Sequence, residues 1–347
     1  MNDNNIKIGI DRLKFSVSVV YINTDVYRGH IENGERSKVI DITNDKVINI
    51  SSFKCDVKGI SIVGTDDYRI QLKLNDKNDK FTLDVNVPKL LYNGNERNAN
   101  NLQHLSEVNK VIEKKLSEQG IYIDMASAKI SSLEININSP DAKLYDAMKI
   151  IRKGWNTTDE TVFIAEKGNK QNSIMIKNRY VKIKVYNKTQ QLKDTGQLWE
   201  NENLVRIEIT ALDPSAIDTI TNYNPTMDGI IENWDKLEKW FKDTLNKHIK
   251  KPCDDFNKSV ENSMVEKLKQ GHKTYDILTL QAVEGNLVDM EIFSRAIKRY
   301  YKETGRKSPH TSIKNTKNRF EKYDNELYES LVGNVLALEK LWDAIGI

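Results

Sequence analysis

In the stretch VKIKVYNKTQQL, residues 181–192, apolar Val181, Ile183 and Val185 alternate with Lys182, Lys184, Tyr186 and Lys188. Successive side chains of a strand point to opposite faces, so the pattern predicts a strand with Tyr186 on the lysine side and away from the core. A phenol among ammonium groups suits nucleophilic attack on a phosphate. The lysine either stabilises charge on the phosphate oxygens or lowers the phenol's pKa from its reference of about 10.

Three further stretches place acids by the same alternation. In SSLEININ, Leu133, Ile135 and Ile137 face a core and leave Glu134 opposite. In LVRIEIT, Val205, Ile207 and Ile209 leave Arg206 and Glu208, and in KFTLDVNV the apolar set leaves Asp84 and Asn86. If these strands are neighbours, Asp84, Glu134 and Glu208 share the surface of Tyr186 and Lys188. Clustered carboxylates repel unless a cation lies between them, and an all-oxygen site suits Mg²⁺ or Mn²⁺. That is phosphoryl-transfer chemistry. A second account stays open: each acid pairs with a neighbouring Lys or Arg on a solvated sheet face.

The elements that must position these residues run in a simple order. Strands are expected at IKIGI, LKFSVSVV, KVINI, GISIVG, YRIQLKL and KFTLDVNV, short runs rich in Val and Ile and bounded by Asn, Asp or Gly. A helix is expected over 104–118, then the strand KISSLEININ. Another helix is expected from Ser139, with Pro140 at its first position, through Ile151. TVFIAE, SIMIKN, the tyrosine strand and LVRIEITA complete an α+β domain, mainly an antiparallel sheet with helices on one face. Pro225 and the Asn-rich TNYNPT mark a boundary, giving a catalytic domain over 1–224 and a helical C-terminal region over 225–347. In WDKLEKWFKDTLNKHI, Trp234, Leu237, Trp240, Phe241 and Leu245 form one stripe.

The net charge of +3 says little about partners, but its distribution is uneven. Residues 166–193 hold eight Lys or Arg and one acid, and residues 286–323 hold ten against four. Two basic regions suit a polyanion, and they also suit plain solvated faces. The two cysteines lack the spacing of a zinc or redox motif, and no two of the five histidines are close enough for a local ligand pair. No long apolar run or signal-peptide pattern is seen, so a cytoplasmic protein with no membrane partner is expected.

The order of the motifs resembles that of rolling-circle replication initiators of the gene II type in filamentous phages, and more distantly the Rep proteins of small Gram-positive plasmids. DVNVPKLLYNGN looks like their acid–proline–apolar turn, and KISSLEININS is similar to their acid-bearing strand. VYNKTQQL resembles their Tyr-x-Lys segment, and LVRIEITA their Leu-Val-Arg-Phe-Glu-type strand. The similarity spans roughly residues 5–215. Two positions depart from the pattern. Gln191 stands where the family commonly has Glu, and Ser132, Leu133 and Glu134 replace Arg-Ile-Asp.

The resemblance implies an enzyme that nicks one strand of origin DNA through Tyr186, becomes linked to a 5′ phosphate, and later religates. Lys188 would assist, and Glu134, Glu208 and Asp84 would hold Mg²⁺ or Mn²⁺. Lys182, Lys184 and Arg206 would contact DNA near the nick. Arg295, Arg299, Lys314, Lys317 and Arg319 would contact flanking duplex. The expected partners are origin DNA with a single-stranded or hairpin nick site, a host helicase and polymerase, and a second copy in a homodimer. The alternatives are a non-catalytic DNA-binding protein on a degenerate nuclease scaffold, or a relaxase or transposase with the same chemistry. The helical C-terminus, by its pattern, is either a DNA-binding or oligomerisation module or a bundle capping the sheet.

Overall fold

A computed structural model describes residues 7–17, 19–22, 54–59, 68–75, 80–92, 98–118, 121–141, 143, 144, 147, 161–167, 170–194, 204–283, 289–323 and 334–347. The strands expected at KVINI and over most of GISIVG lie outside these residues, as does most of the helix expected to reach Ile151.

The strands in chain order are β1 (Gly9–Val17), β2 (Val19–Ile22), β3 (Lys54–Gly59), β4 (Tyr68–Asn75), β5 (Lys80–Asn86), β6 (Ile121–Ile123), β7 (Lys129–Ser139), β8 (Thr161–Lys167), β9 (Lys170–Lys177), β10 (Val181–Asn187) and β11 (Val205–Ala211). Nine of them form one sheet in the order β3-β4-β5-β1-β7-β11-β10-β9-β8, while β2 pairs with β6. The pairings around the centre, β5 with β1, β1 with β7, β7 with β11 and β11 with β10, are all antiparallel. β7 runs through Ser139, which is buried, so the strand continues to the residue expected to cap a helix.

The helices are α1 (Val87–Tyr92), α2 (Leu102–Ser106), α3 (Val108–Ser117), α4 (Lys188–Asp194), α5 (Pro214–Ile220), α6 (Met227–Glu232), α7 (Trp234–Leu245), α8 (Lys251–Lys269), α9 (Thr274–Val283), α10 (Met290–Glu303), α11 (Pro309–Tyr323) and α12 (Asn334–Ile345). The fold is therefore α+β with a helical C-terminal region. The apolar sheet face, with Leu13, Leu133, Ile135, Ile183, Ile207 and Ile209, shares one core with Ile112 of α3, Ile217 of α5, Phe241 of α7 and Trp342 of α12. A second core runs through α8, α9, α10 and α11 and includes Met264, Leu268, Ile277, Phe293, Ile297 and Ile313. The helices directly after residue 225 thus cover the sheet, and the basic stretch belongs to a separate packed unit. The stripe read in α7 buries Leu237, Phe241 and Leu245.

One tight approach shapes the junction before α6. Asn222 and Tyr223 take positive φ of 55° and 63°, and a Cβ on Gly229 would meet the Asn224 carbonyl oxygen at 1.9 Å. Only glycine lets the loop fold back onto the helix here.

Candidate active site

The register of four strands lays the polar side chains out in rows. Tyr186 pairs with Arg206, which pairs with Asn138. The next row runs Lys184, Glu208, Asn136 and Gly9, and the third runs Lys182, Thr210, Glu134 and Arg12. Adjacent strands lie about 4.8 Å apart, so side chains within a row touch, and the long ones reach into the next row.

Asp11 joins this array through a register shift in β1. Ile10 pairs with Ile135 and Arg12 with Glu134, so Asp11 is an extra residue on its strand. A bulge of this kind sets two consecutive side chains on one face. The carboxylates of Asp11, Glu134 and Glu208 come together, with one oxygen of each within 4.8 Å of the others, and all three residues are buried.

The sequence placed this face against solvent, whereas the structure buries it. Tyr186 is 7% exposed, Lys188 1%, Arg206 0% and Glu208 4%. Gly9 lets chain pack onto β1 next to the site, since a Cβ there would lie 2.7 Å from that of Asn98. The chain does not continue as a strand to Lys188. It turns into α4 at that residue, with the Lys188 N–H donating to the Leu204 carbonyl at 2.7 Å and Thr189 Oγ1 accepting from Leu204 N–H at 2.8 Å.

Most of these polar groups have a defined partner. The Tyr186 hydroxyl donates to Glu208 Oε1 at 2.5 Å. Arg206 donates to Asp11 Oδ1 at 2.9 Å and to Asn138 Oδ1 at 2.8 Å. Thr210 donates to Glu134 Oε2 at 2.6 Å, with Lys182 Nζ 3.3 Å from the same oxygen. Lys184 Nζ lies 3.8 Å from Glu208 Oε2. Lys188 Nζ donates to Gln191 Oε1 at 2.9 Å and lies 5.8 Å from the centre of the Tyr186 ring.

These surroundings shift the titrations. Burial, reinforced by Glu208 and Glu134 and opposed by Arg206, pushes Asp11 up to about 7. Burial alone would raise Glu134, but the Thr210 hydroxyl, Lys182 and Lys184 hold it below the ordinary carboxylate value. Burial and then the Glu208 charge push the Tyr186 phenol well above its ordinary value. Burial and the Arg206 charge bring Lys188 down to about 7.

Asp84, expected among the acids, stands apart. It lies on β5 opposite Lys14, 2.5 Å from Arg12 Nε and 3.4 Å from Lys14 Nζ, an ion-paired group as in the second account of the sequence. Asp11 takes the place in the cluster that was expected of Asp84. Arg206, expected at a DNA-facing surface, is wholly buried against Asp11 and Asn138. Among the C-terminal basic residues, Arg295 pairs with Glu339, and Arg299 with Glu261 and Glu303. Lys317 lies 3.9 Å from Glu291, Arg319 stacks 3.8 Å over the Tyr275 ring, and Lys314 is exposed on α11.

The donor set fits a hard divalent cation. It is three clustered carboxylates beside a buried amide oxygen, Asn136 Oδ1, that has no hydrogen-bond partner. Among the described residues no helix is long and apolar enough to cross a membrane.

No family model and no curated protein matches the chain. Among solved structures, the chain is similar to a rolling circle replication initiator protein from Geobacillus stearothermophilus. The two share 10% identity at a TM-score of 0.34, over 70% of this chain and 85% of that one.

Proposed function

We propose that this protein is a DNA nicking and closing enzyme of the rolling-circle initiator kind, with Tyr186 as nucleophile. The observation that carries the reading is the Tyr186 hydroxyl bonded at 2.5 Å to Glu208, one of three clustered carboxylates. The hydroxyl thus points at a group able to accept its proton.

In the reaction, the phenolic oxygen attacks a backbone phosphorus and forms a Tyr–O–P bond while the bond to the 3′ oxygen breaks. The phenolic proton passes toward the Glu208 carboxylate to which it already points, and the departing 3′ oxygen takes a proton to become a 3′-OH. Religation is the reverse, with a 3′-OH attacking the phosphotyrosine. Asp11, Glu134 and Glu208 would hold Mg²⁺ or Mn²⁺, which when bound supplies positive charge for the phosphate oxygens. Lys188 Nζ, bonded to the neutral Gln191 amide and not to a carboxylate, is free to turn a hydrogen bond toward a phosphate. Arg206 keeps Asp11 and Asn138 in place. Lys182 and Lys184, half-buried at the edge of the cluster, are placed where a DNA backbone could reach them.

The substrate in this reading is origin DNA with a single-stranded nick site. A polymerase would extend the 3′-OH, and a helicase would open the duplex ahead of it. The test is cleavage of a labelled single-stranded origin library with Mn²⁺ and with EDTA. Metal-dependent cleavage that leaves protein on the 5′ phosphate supports the proposal. Binding without cleavage under both conditions would make the chain a non-catalytic DNA-binding protein.

A further inference from the structure

The geometry points to Asn136 as a fourth, uncharged oxygen ligand of the divalent cation, an inference that rests on the metal reading above and adds a residue to it. Asn136 stands at the centre of the acid cluster. It lies directly opposite Glu208 on β11, two residues along β7 from Glu134 and on the same face, and its Nδ2 donates to Asp11 Oδ1 at 3.0 Å. All three acids therefore adjoin it.

The bond to Asp11 fixes which way the amide faces. With Nδ2 committed to a carboxylate, Oδ1 is left, and that oxygen is buried with no partner while the residue is 0% exposed. Buried acceptors in native proteins are almost always satisfied, so an orphan among three carboxylates calls for a donor or a cation. A cation serves it better here. Hard divalent ions take carboxylate and amide oxygens alike, and a neutral carbonyl adds a ligand without adding a fourth mutually repelling charge. The position across from Asn136 on β1 is Gly9, which contributes no side chain to crowd the amide.

The test is Mn²⁺ titration of the metal-free full-length protein, following free Mn²⁺ by electron paramagnetic resonance, for the wild type, Asn136→Ala and Asn136→Asp. Asn136→Ala removes the oxygen and is expected to weaken Mn²⁺ binding by about ten- to a hundredfold, the scale seen when even outer-shell partners are lost. Asn136→Asp removes the donor to Asp11 but keeps an oxygen, so it is expected to bind Mn²⁺ at least as tightly as the wild type. A purely structural role for the amide predicts the opposite ordering, because Asp would break the Asp11 bond and add repulsion. If Asn136→Ala does not fold, the Asp variant alone decides, and weaker Mn²⁺ binding there overturns the inference. Unchanged affinity in Asn136→Ala also overturns it and leaves the three-acid site standing. A wild type that binds no Mn²⁺ removes both.

Discussion

Arg206 on β11 reaches across the whole width of β7 to place Nη1 2.9 Å from Asp11 Oδ1 on β1, with the Arg206 side chain fully buried and that of Asp11 nearly so. The pair ties the tyrosine side of the sheet to the bulge that delivers the third acid. Desolvating two charges is costly, and it is the breaking of such a pair that is most damaging, because one charge is then left buried alone.

Arg206→Met is expected to destabilise the metal-free protein by about 3–5 kcal/mol in denaturant unfolding. The double variant Arg206→Met with Asp11→Leu is expected to recover much of that loss. If the single variant costs less than about 1 kcal/mol, the pair is not an organising contact of the sheet.

Lys188 gives a pH signature. Its folded value of about 7 lies below the ordinary 10.5, chiefly through burial. Below about pH 7 both states carry the proton and the full cost of burying the charge is present. Between about 7 and 10.5 the unfolded chain holds a proton that the folded protein has released, so stability rises with pH across that window. Thermal unfolding of the metal-free protein from pH 7 to 10 is expected to show this rise in the wild type and its loss in Lys188→Met. Gln191→Glu, which sets a carboxylate against the ammonium, is expected to move the window upward. Parallel pH profiles for wild type and Lys188→Met would contradict the assignment.

Much of this site was legible in the sequence, and the failures have identifiable physical causes. Alternation placed Tyr186, Glu134, Arg206 and Glu208 on one face, and the register joins their strands as neighbours. Asp11 escapes the alternation because a bulge breaks the period of two. The signal was present in IKIGIDRLKFSV, where apolar Ile8 and Ile10 change phase to Leu13, Phe15 and Val17 around Asp11 and Arg12. Asp84 satisfied the alternation but sits on the strand beyond β1, opposite Lys14, too far along the grid to join. Lys188 fits the strand pattern by residue type, while the turn into α4 is set by contacts with Leu204, distant in sequence. Alternation also tells which face a residue is on but not what covers that face, so the burial of Tyr186 and Arg206 could not be read from it.

The C-terminal basic cluster divides into two classes. Arg299 is held by Glu261 and Glu303, so Arg299→Ala is expected to change stability more than DNA binding. Lys298, Lys302, Lys307 and Lys314 are exposed on or between α10 and α11. If this unit binds duplex DNA, each of these that meets a phosphate contributes about 0.9 to the slope of log K against log salt. Replacing Lys307 and Lys314 together is expected to flatten the slope by up to about 1.8 while leaving cleavage of short single strands intact. An unchanged slope in the folded variant would remove these lysines from the interface.

Whether Tyr186 forms the bond to DNA is read by comparing wild type with Tyr186→Phe on a 3′-labelled single-stranded origin oligonucleotide with Mn²⁺, resolved under denaturing conditions. The label remains on the fragment whose 5′ phosphate the enzyme would hold. The wild type is expected to give a slowly migrating labelled protein–DNA band, and Tyr186→Phe, which loses only the hydroxyl bonded to Glu208, is expected to bind the oligonucleotide and give none. A covalent band of equal intensity from Tyr186→Phe would show that another residue is the nucleophile.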